Sequence, residues 1–152
     1  MFRWINDRET VILSAGFKPV HATQHSGWLA SLADRKDAVI FAIRLVRSDR
    51  LIGYCQLLSI DRVHRSAELQ IRIGDKKARG RGYGVEAVRQ LVEFAFRDLG
   101  LHRVWLQVFA TNTRALKAYE KAGFAHEGRM REGVFVDGRF VDVVAMGILA
   151  DE

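Results

Sequence analysis

Between a strand-like run, Glu68-Leu69-Gln70-Ile71-Arg72-Ile73, and a strongly periodic helix lies the segment Arg79-Gly80-Arg81-Gly82-Tyr83-Gly84. Strand, glycine loop and helix in that order constrain the fold and the chemistry of this chain more than any other feature. Glycines let the backbone approach a ligand closely, and the first turn of a helix leaves N–H donors unsatisfied at its partly positive end. Such a junction is a ready anion site, with a plain strand-to-helix connector as the alternative. Lys76, Lys77, Arg79 and Arg81 add cationic charge at the same place and favour the anion site. The loop is not a P-loop, because it lacks the Gly-Lys-Ser/Thr ending. It is not a dinucleotide loop either, because position 87 is Ala and the third glycine falls too early.

The rest of the chain reads as alternating elements. A weak helix is predicted from Arg3 to Leu13, and a short one from Thr23 to Ala33 with Trp28, Leu29 and Leu32 on one side. Ala38 to Val46 and Leu51 to Ile60 form a predicted hairpin around Ser48-Asp49-Arg50. In the strand Glu68 to Ile73, Leu69, Ile71 and Ile73 share one face and Glu68, Gln70 and Arg72 the other. Val85, Val88, Val92, Ala95, Phe96 and Leu99 keep helical spacing from Tyr83 to Leu99, before Gly100. Arg103 to Phe109 is a strand, and Thr113 to Ala122 a helix capped by Asn112 and ended by Gly123. The tail reads as a hairpin, Gly133 to Val136 and Phe140 to Leu149, turning at Asp137-Gly138. This order predicts an α/β domain with a mixed, mostly antiparallel central sheet flanked by helices.

Composition narrows the function. The 152 residues suit one domain over 1–152, large enough to bury on the order of 70% of its unfolded surface. No stretch approaches the ~20 apolar residues of a membrane helix, and no signal-peptide core opens the sequence, so a soluble cytoplasmic protein without a membrane partner is expected. Cys55 is the only cysteine, which rules out an internal disulfide and a thiolate metal cluster. Its apolar strand makes it a buried small hydrophobe. The net charge of +6 points to a polyanionic partner. The basic residues are scattered rather than gathered into a stripe with interleaved aromatics, so nucleic acid is not expected.

Arg79, Gly82 and Gly84 fill the pattern Arg/Gln-x-x-Gly-x-Gly/Ala, which resembles the coenzyme A loop of the GNAT superfamily of N-acetyltransferases. Asn112 to Phe124 is similar to the second signature of that superfamily, Asn-x-x-Ala-x-x-x-Tyr-x-Lys-x-Gly-Phe. Beyond it, Glu127-Gly128-Arg129, Asp137-Gly138, Asp142 and Met146 resemble the ending of the branch of ribosomal-protein N-terminal and amino-sugar acetyltransferases. The resemblance runs from Leu51 to Met146 and is weak before it. Family members open with a strand and an acidic turn, whereas this sequence begins close to the Arg3-Trp4-Ile5-Asn6-Asp7 that normally follows them. The sheet edge is therefore expected to lack that strand or to be completed otherwise, for instance by a second copy in a homodimer.

The resemblance implies acetyl transfer from acetyl-CoA to a primary amine by direct attack in a ternary complex, without a metal. Coenzyme A, with roughly three to four negative charges, is the polyanion that the loop would take. The amides from Arg79 through Gly80, Arg81, Gly82 and Tyr83 to Gly84 would hold the pyrophosphate. The backbone of Ile71, Arg72 and Ile73 would pair with the pantetheine arm as an added strand, and Asn112 and Lys117 would contact the cofactor from the other wall. Tyr119 would protonate the departing thiolate, since a phenol with pKa near ~10 keeps its proton at neutral pH. An alkyl ammonium with pKa near ~10.4 is neutral in about one molecule in ~10³ at pH 7, so a base is useful. Members of the ribosomal branch carry a glutamate where this chain has Gln107, which leaves Glu68 as the candidate base. Glu68 as a surface carboxylate paired with Arg65 or Arg72 is the alternative, and His64, His102 and His126 lack positional support. A peptide N-terminus or an amino sugar is the favoured acceptor, with a polyamine or antibiotic amine as the alternative. It would enter on the side of the N-terminal helices, near Trp28 or Trp4. A non-catalytic acyl-CoA sensor and a basic nucleic-acid-binding domain are the readings from other classes.

Overall fold

The computed structural model describes every residue from Met1 to Glu152 apart from the side chain of Ala33. Six strands, β1 (Val39–Arg44), β2 (Leu51–Asp61), β3 (Ser66–Ile73), β4 (Arg103–Phe109), β5 (Ala125–Val136) and β6 (Arg139–Leu149), form one sheet in the order β1-β2-β3-β4-β6-β5. Every pair is antiparallel except β3 with β4, the pair that a crossover helix connects. That helix, α4 (Tyr83–Arg97), buries Val88, Leu91, Val92 and Ala95. Helix α5 (Thr113–Ala122) follows β4. The Asn112 Oδ1 accepts the Ala115 N–H at 3.2 Å to start it, and Gly123 ends it. Both helices lie on the face where Leu57, Leu69, Val104, Leu106 and Met146 converge, each almost fully buried. Each such side chain contributes roughly 1.5–3 kcal/mol. Cys55 sits in the same core, and burial pushes its thiol up to about 11. A smaller cluster, Phe109, Val136, Val141 and Val143, packs separately around the β5–β6 hairpin.

Three expectations need correction. The helix predicted from Arg3 to Leu13 is broken into single turns, α1 (Phe2–Ile5) and α2 (Arg8–Val11). Asn6 causes the break: its side chain accepts the Val20 N–H at 2.9 Å and donates to the Val20 carbonyl at 3.0 Å, bonds that compete with a continuous helix. In α3 (Ala22–Ser31) the buried residue is His25, not Leu29, which is 40% exposed. The His25 ring packs between Phe2 and Trp28 at 5.6 and 5.7 Å. Strand β5 begins at Ala125 rather than Gly133. It is a sheet edge with almost every side chain exposed, and bulges interrupt its register, so no apolar alternation marks it in the sequence. No helix among the described residues is long and apolar enough to cross a membrane.

Candidate active site

Strands β3 and β4 pair only over Ser66–Arg103, Ala67–Val104 and Glu68–Trp105, although β3 continues to Ile73 and β4 to Phe109. Beyond Glu68 the two part, and a cleft of about 570 Å³ opens between them. Its walls are the end of β3, the glycine loop with the start of α4, the end of β4, α5, and Thr10, Leu13 and Ser14 from the N-terminal segment. Of the residues singled out in the sequence, Ile71, Arg72, Ile73, Arg79, Gly80, Gly82, Gly84, Asn112, Lys117 and Tyr119 all line this one space.

The glycine loop presents donors. Gly80 and Gly82 have φ of +74° and +85°, and a Cβ at either would point into open space, so the open side of the loop is bare backbone. Gly82 caps α4 with no side chain supplying a cap bond. The first intrahelical bond runs from the Glu86 N–H to the Gly82 carbonyl, so the Tyr83, Gly84 and Val85 N–H groups have no intrahelical partner. This is the geometry of an anion site at the N-terminus of a four-turn helix.

The loop's charges divide differently from what their number in the sequence suggests. The Arg79 side chain faces inward, donating to the Ile73 carbonyl at 2.9 Å and to the Thr10 hydroxyl at 2.9 Å. It ties the end of β3 and helix α2 to the loop. Lys76 is neutralised by Asp7 at 3.2 Å and Glu9 at 2.8 Å. Lys77 and Arg81 stay exposed, with no ion pair among the described residues. The field facing the cleft is completed from α5, by Arg114, Lys117 and Lys121, of which the sequence reading included only Lys117. Burial first, and then the repulsion of Arg114, hold the Arg79 guanidinium below its usual value. An anion between them would relieve that repulsion.

The strand wall is also selective. A Cβ on Gly53 of β2 would meet the Arg72 carbonyl at 2.3 Å, so that carbonyl faces β2 and not the cleft. By alternation, the backbone groups of Ile71 and Ile73 point toward β4, and the Ile73 carbonyl is occupied by Arg79. Arg72 reaches the cleft through its side chain, which donates to the Ser14 hydroxyl at 3.2 Å. On the other wall, Asn112 caps α5 and also donates to the Leu13 carbonyl at 3.2 Å. Tyr119 is 9% exposed and packs against Phe124, and burial pushes its phenol up to about 12. Its hydroxyl bonds to no protein group and is not among the sealed polar atoms, so it opens on the cleft that Tyr119 lines.

Glu68 lies outside the lining of the cleft, at the last paired position before the strands part. Its carboxylate is bonded neither to Arg65 nor to Arg72, and accepts the Gln70 amide at 2.9 Å instead. Gln107 does line the cleft and is exposed. Neither Trp4, which packs on Gly74, nor Trp28, beside His25, reaches it; Thr10, Leu13 and Ser14 stand there instead. His126 is taken by Glu120 at 2.9 Å. No cluster of metal-ligating side chains occurs among the described residues.

The crystal structure of spermidine N-acetyltransferase from Vibrio cholerae in complex with CoA and spermine superimposes with a TM-score of 0.90 at 27% identity, over 99% of this chain and 88% of that one. In sequence, the spermidine N(1)-acetyltransferase of Vibrio cholerae is 38% identical over 99 residues, 65% of this chain and 57% of the relative. The putative ribosomal N-acetyltransferase YdaF of Bacillus subtilis is 33% identical over 108 residues, 71% of this chain and 58% of the relative. The matched stretch thus spans less than two thirds of these curated relatives. Residues 1–125 match the acetyltransferase (GNAT) domain, including the N-terminal part where the sequence resemblance is weakest. With a cleft between parted strands and a family match over most of its length, the chain belongs to the GNAT acetyltransferase family.

Proposed function

We propose that the protein transfers the acetyl group of acetyl-CoA to a primary amine, and that the amine is of the polyamine class. The observation that carries the first half is the cleft itself: unpaired N–H groups of the α4 N-terminus, unpaired strand backbone at Ile71 and a phenol converge on one space. The pyrophosphate would lie on the loop amides under Arg81, Arg114, Lys117 and Lys121. The pantetheine arm would extend β3 at Ile71, with Asn112 opposite. The amine attacks the thioester carbonyl, the C–S bond breaks, and the Tyr119 hydroxyl donates to the thiolate as negative charge collects on sulfur. Its raised pKa keeps it protonated across the physiological range. Glu68 would hold the acceptor's ammonium group and take up its proton as the strands' only carboxylate beside the opening.

The acceptor class rests on the relatives. Spermidine acetyltransferases recur among them, and the CoA- and spermine-bound enzyme superimposes over nearly the whole chain. This replaces the peptide or amino-sugar amine favoured by the tail residues with what was there the alternative. The ribosomal relative keeps a peptide N-terminus as the second reading. Thiol release from acetyl-CoA against spermidine, spermine, an amino sugar and an alanine-terminated peptide tests both, with acetyl-CoA, CoA and ATP titrations beside it. Turnover with the polyamines is the expected result. CoA binding without release for any amine would instead support the acyl-CoA sensor.

A further inference from the structure

Gln56, Gln70 and Glu68 form a hydrogen-bonded chain across β2 and β3. Gln56 stands directly opposite Gln70 in the register, and its amide donates to the Gln70 Oε1 at 2.8 Å. The Gln70 amide donates in turn to the Glu68 carboxylate at 2.9 Å. The direction of such a chain is set by its anionic end. A carboxylate can only accept, so Gln70 must turn its NH₂ toward Glu68 and its oxygen toward Gln56, and Gln56 must then present its own NH₂. The consequence is visible at the buried end: Gln56 is 7% exposed, and its Oε1 is sealed from solvent with no hydrogen-bond partner among the described residues. An orphaned buried acceptor is costly, and a leucine of similar volume would avoid the cost. The hydrogen bond toward Gln70 and Glu68 is the one side-chain bond that a leucine there would lose.

We infer that Gln56 is a positioning residue, acting through Gln70 to fix the Glu68 carboxylate as the subsite for the acceptor's alkyl-ammonium group. Glu68 stands where β3 and β4 separate, and Gln107, two residues beyond its partner Trp105, already lines the cleft. Gln70 occupies one carboxylate oxygen and holds the plane of the group, leaving the other oxygen for the ligand. The inference rests on the proposed acetyl transfer to an amine, and goes beyond it in naming what fixes the Glu68 carboxylate.

The test is Gln56→Leu, Glu68→Gln and the double variant. Spermidine binding is measured calorimetrically in the presence of CoA, and acetylation is measured separately. Gln56→Leu should leave CoA affinity unchanged and the melting temperature equal or higher, because the orphaned oxygen is gone. Its spermidine Kd and KM should rise about tenfold, with a smaller change in kcat. The double variant should be no weaker than Glu68→Gln alone, since Gln56 acts only through that carboxylate. A wild-type spermidine Kd in Gln56→Leu, or additive losses in the double variant, would overturn the inference. So would a fall in melting temperature together with CoA affinity, which marks a structural role. Spermidine binding that depends on Gln56 without turnover would keep this subsite and remove the acetyl-transfer reading. Turnover indifferent to Gln56 would do the reverse, and no spermidine binding at all would remove both.

Discussion

Replacing Tyr119 with Phe separates chemistry from packing because the structure gives the hydroxyl no protein partner. The ring is buried against Phe124 and would remain, so no intramolecular hydrogen bond is lost. Stability at pH 7 should therefore change by no more than about 0.5 kcal/mol, in the range of substitutions that touch nothing. Turnover should fall roughly 10²–10⁴-fold if the phenol donates directly to the leaving thiolate, equivalent to about 3–5 kcal/mol of barrier. Acetyl-CoA affinity should barely move, since the interaction strengthens only as charge reaches sulfur. The pH dependence supplies an independent check. Burial raises the phenol from 10.0 to about 12 in the folded state. The unfolded chain thus releases this proton first, and the stability due to the neutral buried phenol is complete below pH 10 and lost as pH rises toward 12. Two pKa units correspond to roughly 3 kcal/mol. Tyr119→Phe should be spared that part of the alkaline loss. Calorimetry for acetyl-CoA, single-turnover thiol release and melting curves between pH 7 and 12 make the measurement. A near-wild-type rate with chemistry limiting would remove Tyr119 from the mechanism.

Gly82→Ala places a methyl in the open ligand side of the loop at a φ of +85°, so it should cost about 1–2 kcal/mol of stability and weaken acetyl-CoA binding at least tenfold by titration. Gly84→Ala should be close to neutral in both measurements, because its Cβ would meet only the Ile73 side chain at 3.7 Å and its φ is ordinary; a loss equal to that of Gly82→Ala would refute the loop geometry. Arg81→Met and Arg114→Met should each weaken acetyl-CoA binding several-fold and flatten its salt dependence, whereas Lys76→Met, removing a cation already paired with Asp7 and Glu9, should do neither. Cys55, buried and with its thiol pushed up to about 11, should resist thiol reagents in the native protein and react once it is unfolded.

Local signals located most of the fold. The alternation of Leu69, Ile71 and Ile73, the helical spacing from Val85 to Ala95 and the Asn112 cap are short-range patterns, and they placed β3, α4, β4 and α5 to within a few residues. Where the local signal was ambiguous or overridden, the elements differed. The exposed edge strand β5 has no buried face to imprint a period on its sequence, and the helix expected at Arg3–Leu13 is broken by a bond to Val20, fourteen residues away. The site divides in the same way. Glycines and a helix start sit in one stretch of chain, so the bare loop and its unpaired N–H groups could be read from the sequence. Which cations surround the loop could not, because charge pairing is a property of space: Lys76 is held by Asp7 and Glu9, Arg79 turns to Thr10, and Arg114 and Lys121 line the cleft from α5. The parting of β3 and β4 after Glu68 belongs to neither strand alone. It exists only in the register between residues 66–68 and 103–105, and it turns two ordinary strands into the walls of a cleft.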